Sequence, residues 1–150
     1  MQRKSNVGNL GEKAFEYHKS GYHCAEAVSK AIVEVFGKDC GNGIPQVATA
    51  FGGGVGRTNQ EICGALSGGF IAIGYLYGRS EPGTDWTVAS DLAAELKQRF
   101  ERKYATTNCG VLLAKFGRQD NMMMCKRLSG EVAGMLAEII GEGIYREGQN

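Results

Sequence analysis

The sequence lacks an excess of charge of either sign. Its 17 lysine and arginine residues nearly balance its 16 aspartate and glutamate residues, and the formal net charge is +1. Proteins that bind nucleic acid or anionic membranes through their overall charge carry a clear basic excess, usually concentrated on one face. The composition therefore argues against nucleic acid as a partner.

Segments that direct a chain into or across a membrane are also missing. Residues 1–6 are polar, and they lack the apolar core and the small-residue cleavage site of a signal peptide. The apolar run over residues 62–77 is shorter than an ordinary membrane-spanning helix and is interrupted by glycine and serine. We expect a cytoplasmic protein without membrane insertion.

Local cysteine motifs are absent, although the chain has five cysteines. No pair has the CxxC spacing of a thioredoxin-type site or a zinc ribbon, no CxxCH motif provides for covalent c-type haem, and no ferredoxin cysteine run occurs. In a reducing compartment, five cysteines favour metal binding or redox chemistry over a passive disulfide framework. Any site that they form is assembled from distant segments.

The glycine run over residues 52–54 lacks the neighbours that a phosphate-binding loop requires. No predicted strand precedes it and no Gly-Lys-Ser/Thr follows it, so neither a P-loop nor a dinucleotide fingerprint is present. We predict instead a tight turn that brings the chain close to Cys63. No Ser/His/Asp arrangement or paired-carboxylate motif stands out either.

Helical periodicity is what the sequence does contain. Apolar residues recur at three- and four-residue steps, and they predict helices over about residues 9–19, 24–36, 45–51, 58–77, 84–104, 109–116 and 120–139. Strand-like alternation is weak, and 150 residues suffice for one domain with its own core. The prediction is an all-α, single-domain bundle of five to seven helices over residues 1–150, arranged around a central glycine-rich helix.

The predicted central helix begins with a capping box formed by Thr58 and Glu61 and runs to residue 77. Its glycines at positions 64, 68 and 69 each cost a helix about 1 kcal/mol relative to alanine. Such a segment forms only where a neighbouring helix or a cofactor packs closely against the bare backbone. The glycines predicted to face a cofactor are Gly53, Gly54, Gly64 and Gly68.

The last two long helices have predicted caps and buried stripes. Thr84 or Asp85 caps the first of them, and its apolar stripe starts at Trp86. Asp120 caps the final helix, whose buried side starts at Met124. Residues 122–124 are three consecutive methionines, which fit a soft-metal site or, more simply, adaptable core packing.

Four of the cysteines lie in the first turn or two of a predicted helix. A helix N-terminus carries partial positive charge, which favours a thiolate and lowers its pKa. If these four helix starts converge, they form one site. Its candidate catalytic residues, which are alternatively its metal ligands, are Cys24, Cys63, Cys109 and Cys125. Cys40 lies in a predicted loop and fits either an inert or an exposed thiol.

Two polar residues near the cysteines have competing interpretations. His23 adjoins Cys24 and is a candidate proton acceptor, but adjacent helical residues point to different faces, which favours an exposed histidine without a catalytic role. Arg57 follows the glycine run and is a candidate contact for an anionic substrate or a thiolate. A surface salt bridge is the simpler expectation for it.

Several of these segments together resemble a known family. Residues 22–28 (YHCAEAV), 51–57 (FGGGVGR) and 63–68 (CGALSG), followed by Cys109 with Leu112 and Leu113 and by Cys125, resemble the redox-active family labelled C_GCAxxG_C_C. The resemblance implies a small helical bacterial or archaeal protein that is redox-active through these four cysteines. The chain is also similar to the N-terminal part of split-Soret cytochromes, which are dimeric haem proteins. Because their haem-attachment motif is missing, the haem role does not carry over.

Three functions remain open from the sequence. The first is a thiol–disulfide oxidoreductase in which Cys63, with its small neighbours, attacks and Cys24, Cys109 or Cys125 resolves, so that three complete pairings are available. The second is a cysteine-ligated iron–sulfur cluster or metal site, and the third is a structural or interaction protein whose cysteines only pack. The expected partner is a redox protein or a small thiol. The resemblance and the helical apolar stripes also suggest a homodimer.

Overall fold

The computed structural model describes residues 8–39 and 41–147. Within them the chain forms seven α-helices: α1 (Leu10–Ser20), α2 (Cys24–Phe36), α3 (Ile44–Ala48), α4 (Gly64–Tyr77), α5 (Thr87–Tyr104), α6 (Cys109–Phe116) and α7 (Met123–Glu147). A short 3-10 helix, Thr49–Phe51, follows α3. These residues contain no strand, and their only β-type pairing is an isolated antiparallel bridge between Ile62 and Asn108. The all-α prediction is confirmed, and the prediction for Cys40 lies outside the described residues.

Helices α2 and α4 form the centre of the bundle. Helix α4 packs against α2, α5 and α7, and α2 also packs against α1, α3 and α7. The core between them is continuous and includes the fully buried side chains Leu10, Val28, Ile32, Leu66, Leu96, Phe100, Val132 and Leu136. The predicted arrangement around a glycine-rich helix is therefore present, with α2 sharing the central position.

The glycines of α4 allow neighbouring helices to approach its backbone. A Cβ atom at Gly68 would lie 2.5 Å from the carbonyl oxygen of Ala25 in α2, closer than real Cβ contacts permit. At Gly69 a Cβ atom would lie 2.6 Å from Cδ2 of Leu96 in α5. The predicted close packing against bare backbone is confirmed, and at these two positions protein atoms provide it.

The predicted start of α4 is wrong. Thr58 and Glu61 form no capping box, because the Thr58 hydroxyl donates to the carbonyl oxygen of Gly54 at 2.7 Å. The carbonyl oxygen of Glu61 accepts a hydrogen bond from the backbone N–H of Cys109 at 2.8 Å. Helix α4 instead begins at Gly64 with Cys63 as its N-cap. The preceding segment is used for a turn and for pairing with the segment before α6.

The predicted stripe of α5 begins too early. Asp85 Oδ1 accepts from the backbone N–H of Thr87 at 2.9 Å, so the helix starts at Thr87 and leaves Trp86 outside it. The Trp86 side chain is 60% exposed and contributes nothing to the buried stripe. Leu96 and Phe100 form the buried part of that stripe, as the periodicity predicted.

Helix α7 also starts later than expected. Its first turn is capped by Gln119, whose Oε1 accepts from the backbone N–H of Cys125 at 3.0 Å, and not by the side chain of Asp120. Met124 in this turn is 40% exposed, so its predicted burial is wrong, whereas Leu128 and Val132 are buried. None of the helices in the described part of the chain is both long enough and apolar enough to cross a membrane.

Candidate functional site

Four cysteines line one cavity of about 270 Å³. Cys24 is the first residue of α2, Cys109 is the first residue of α6, Cys63 caps α4, and Cys125 lies in the first turn of α7. All four are free thiols. The predicted convergence of four helix starts is therefore observed.

A short backbone clamp holds Cys63 and Cys109 beside each other. The N–H of Cys63 donates to the carbonyl oxygen of Thr107 at 2.7 Å, and the N–H of Cys109 donates to that of Glu61 at 2.8 Å. Asn108 completes the clamp: its Nδ2 donates to the carbonyl oxygen of Gln60 at 2.7 Å, and its Oδ1 caps α6 by accepting from the N–H of Val111 at 3.1 Å. This clamp joins the segments before α4 and α6.

A left-handed turn forms another wall of the cavity. Residues 53–57 all have positive φ angles, between 61° and 66°, and they include the non-glycine residues Val55 and Arg57. Left-handed backbone costs an L-residue about 1–2 kcal/mol, so only supporting contacts hold Val55 and Arg57 there. The N–H of Gly56 donates to the carbonyl oxygen of Ala50 at 2.9 Å, and that of Arg57 donates to Gly52 at 3.1 Å. The predicted tight turn is confirmed, and its left-handed backbone explains why residues 53, 54 and 56 are glycines.

Two of the glycines make room for cysteine side chains. A Cβ atom at Gly64 would lie 2.2 Å from Sγ of Cys24, and one at Gly54 would lie 2.6 Å from Cβ of Cys109. Of the four glycines predicted to face a cofactor, Gly53 and Gly64 line the cavity. The glycines at positions 54 and 68 instead face protein neighbours.

Burial raises the pKa of every thiol in the cavity. The effect is largest at Cys63, which is 5% exposed and whose pKa rises to about 12 despite nearby backbone N–H groups of Leu66 and Ala65. Burial also raises the pKa of Cys24, although N–H groups of Gly53 and Ala25 act in the opposite direction. The predicted lowering by helix starts is wrong, because loss of solvation outweighs the N–H donors. Cys63 is also the most buried of the four and hence not the approachable thiol that the sequence suggested.

The two more accessible thiols have different hydrogen-bond partners. Nε2 of Gln119 donates to Sγ of Cys125 at 3.3 Å, which stabilises a thiolate there. Sγ of Cys109 instead donates to Oδ1 of Asn59 at 3.8 Å, which stabilises the neutral thiol. Burial still raises the pKa of both thiols, and each of these raised values also reflects repulsion from Cys24. Gln119 was not identified from the sequence, because no spacing links it to a cysteine.

The thiols also interact electrostatically with one another. Negative charge on Cys24 raises the pKa of each of the other three, and Cys109 interacts with Cys63 and with Cys125. Cys24 therefore lies close enough to each of the other three thiols for their charges to repel one another.

A histidine that the sequence analysis missed also lines the cavity. Burial, followed by the charges of Lys126 and His23, lowers the pKa of His18 to about 4. Its Nδ1 lies 2.9 Å from Oγ of Ser129, which is fully buried. The imidazole is therefore neutral at physiological pH. Its position four residues after Ala14, on the buried stripe of α1, is the sequence signal that could have identified it.

His23 and Arg57 lie together at the edge of the cavity. Nη2 of Arg57 is 3.5 Å from Nε2 of His23, and both side chains are exposed. The expected surface salt bridge of Arg57 is absent: among the described residues, no carboxylate lies within 4 Å of its guanidinium group. Arg57 thus brings an uncompensated positive charge to this edge.

The sequence also predicted a metal site at the cysteines as an alternative. Over residues 8–39 and 41–147, no group of three or more histidine, cysteine, aspartate or glutamate side chains has the arrangement of a metal site. The consecutive methionines do not form a core cluster, since Met122 and Met124 are exposed, although Met122 borders the cavity. The iron–sulfur alternative stays a prediction.

Comparison with known proteins identifies one family. The family model described as "Putative redox-active protein (C_GCAxxG_C_C)" matches residues 22–139. No curated protein and no solved structure matches the chain. The matched range includes all four cysteines of the cavity and the left-handed turn between α3 and α4.

Proposed function

This chain belongs to the C_GCAxxG_C_C family of redox-active proteins, and on that premise we propose that it is a thiol–disulfide oxidoreductase. One observation carries the proposal: four thiols from four distant segments line a single cavity. Thiols that face one another can be oxidised in pairs, so the cavity has the groups for two disulfides.

The attacking thiol in this proposal is Cys125. The thiolate is the nucleophile in disulfide exchange, so the attacking sulfur needs both access and a group that stabilises its charge. Cys125 is partly exposed and receives the amide N–H of Gln119. Cys63 is buried, and its pKa near 12 reflects a loss of solvation that outweighs the N–H groups of Leu66 and Ala65 beside it.

The exchange proceeds in two steps. The Cys125 thiolate attacks one sulfur of a substrate disulfide, the S–S bond breaks, and the other sulfur leaves as a thiolate that takes up a proton. A second cysteine then loses its proton, attacks Sγ of Cys125 and releases the second substrate thiol. The protein loses two electrons to form one internal disulfide, and the substrate disulfide gains them.

The burial and the side-chain contacts of the thiols favour one set of pairs. A set that joins Cys63 to Cys125 is disfavoured, because Cys63 is buried whereas Cys125 is partly exposed. In the remaining sets, Cys125 pairs with Cys109 or with Cys24. We favour Cys109, since it is the other partly exposed thiol whose sulfur has a polar side-chain partner. The inner pair is then Cys24 with Cys63, because Sγ of Cys24 lies only 2.2 Å from where a Cβ atom of Gly64, the residue after Cys63, would be.

Disulfide mapping tests this proposal. In a Cys40→Ser background, the anaerobically reduced protein carries four thiols, all of which line the cavity. We expect one equivalent of a small disulfide to remove two thiols together and to yield a Cys109–Cys125 peptide in mass spectrometry. Cys125→Ser should slow the first step by at least about tenfold, whereas Cys63→Ser should leave it unchanged.

Two results would contradict the proposal. The first is stable single modification of each thiol without any internal disulfide. The second is about one iron–sulfur cluster or metal ion per chain in the same anaerobic sample, lost on Cys63→Ser, which would identify the cysteines as ligands.

A further inference from the structure

We propose that the exchange substrate is a small thiol or disulfide that carries a carboxylate group, and that Arg57 binds this group. The inference rests on the proposed exchange function and specifies its substrate class. It starts from the charges at the cavity. Apart from cysteine, the ionisable side chains among its described lining residues are His18, His23 and Arg57, and none is a carboxylate.

A second, smaller cavity adjoins the first. It has a volume of about 200 Å³ and is lined by His23, Thr49, Gly52, Gly56 and Arg57. Two of these side chains, His23 and Arg57, also line the four-cysteine cavity, so the two cavities meet at this pair. A ligand that places its anionic group in the smaller cavity can therefore extend its sulfur atom toward the thiols.

The guanidinium group of Arg57 is available for such a ligand. Among the described residues, its polar contact is the 3.5 Å approach to Nε2 of His23, and no carboxylate there lies within 4 Å of it. Arginine has five N–H donors in a planar fork that matches the two oxygens of a carboxylate. A carboxylate bound there would receive two parallel charge-assisted hydrogen bonds.

The backbone keeps Arg57 in this place at an energetic cost. Its φ angle of 62° is unfavourable for a residue with a side chain, yet the hydrogen bond from its N–H to Gly52 and the bond from Asn59 N–H to Gly53 maintain the turn. Strained backbone that the surrounding structure maintains is concentrated at ligand-binding sites. The space beside Gly56, where an added Cβ would meet no atom within 4 Å, leaves the smaller cavity open.

Two chromogenic disulfides of different charge test the inference on the full chain with Cys40→Ser. Dithiobis-nitrobenzoate carries carboxylates, whereas dithiodipyridine is uncharged at neutral pH, and each releases a coloured thiol. Arg57→Gln should slow the reaction with the anionic reagent by about fivefold, which is the effect of one unit charge about 4 Å away in water. The reaction with the neutral reagent should keep its rate, and Arg57→Lys should restore most of the anionic rate.

The matched control is Arg102→Gln, which removes the same charge from an exposed position on α5 that does not line the cavity. Equal slowing with both reagents, or no slowing beyond that of the control, would overturn the inference. Failure of the exchange function has a separate readout: release of the first coloured thiol would not be followed by a second equivalent and an internal disulfide. The first rate therefore tests substrate charge, and the second equivalent tests exchange.

Discussion

Substitution of Gly68 by alanine tests whether close packing of α2 on α4 determines the position of the cysteines. The added Cβ would lie 2.5 Å from the carbonyl oxygen and 3.0 Å from Cα of Ala25. These are backbone atoms in the first turn of α2, directly after Cys24, so no side-chain rotation can relieve the contact. Overpacking of this kind costs about 1–3 kcal/mol, and the better helix propensity of alanine offsets up to about 1 kcal/mol. We expect Gly68→Ala to lower the free energy of unfolding by about 1–2 kcal/mol.

Gly74→Ala in the same helix is the control. Gly74 is exposed, and an added Cβ there would meet no atom within 4 Å. This substitution should raise the free energy of unfolding by about 0.5–1 kcal/mol through helix propensity alone. Urea unfolding of both variants, followed by circular dichroism and fitted with a shared m-value, measures the difference. If Gly68→Ala stabilised the protein as much as Gly74→Ala, the argument for backbone contact between α2 and α4 would be refuted.

Three further predictions concern the site. Gln119→Leu removes the N–H donor to Cys125, so alkylation of that thiol by iodoacetamide at neutral pH should slow by about tenfold. An unchanged rate would show that the donor does not stabilise the thiolate. His18 has a pKa of about 4 in the folded state against about 6.5 in the unfolded chain, so stability should fall by roughly 2–3 kcal/mol as the pH drops from 6.5 to 4. In His18→Gln, the urea midpoint of unfolding should no longer show the fall that His18 causes as the pH drops. At Gly54 the φ angle is 66°, and an added Cβ atom would lie 2.6 Å from Cβ of Cys109. Gly54→Ala should therefore destabilise the fold by about 2 kcal/mol and reduce the yield of the Cys109–Cys125 disulfide in peptide mapping.

Helix ends that depend on local chemistry could be predicted from the sequence. Asn108 caps α6 through its own side chain, and Gly117 follows its last residue, so both ends of that helix were predicted correctly. Helix α2 likewise runs from Cys24 to Phe36, and Gly37 follows its last residue, as predicted. In each case the residues that determine the boundary lie next to it in the sequence.

The remaining features depend on partners far along the chain. Helix α4 starts at Gly64, later than predicted, because the segment before it pairs with residues around Asn108. No local sequence pattern encodes that pairing. The raised pKa values at the cysteines follow from burial by several helices, whereas the local sequence around each cysteine reveals only a helix start. The contacts of Gln119 and His18 are likewise products of the tertiary structure.

The bridge between Ile62 and Asn108 has a consequence for the synthesis of the chain. Its two partners are separated by α4 and α5, so the loop that it closes forms only after both helices have been made and packed. Until then, the thiol of Cys63 lacks the cover that gives it its high pKa, and Cys125 is translated later still. We therefore expect the nascent chain to be more open to oxidants at Cys63 than the finished protein, so that completion of the fold protects this thiol.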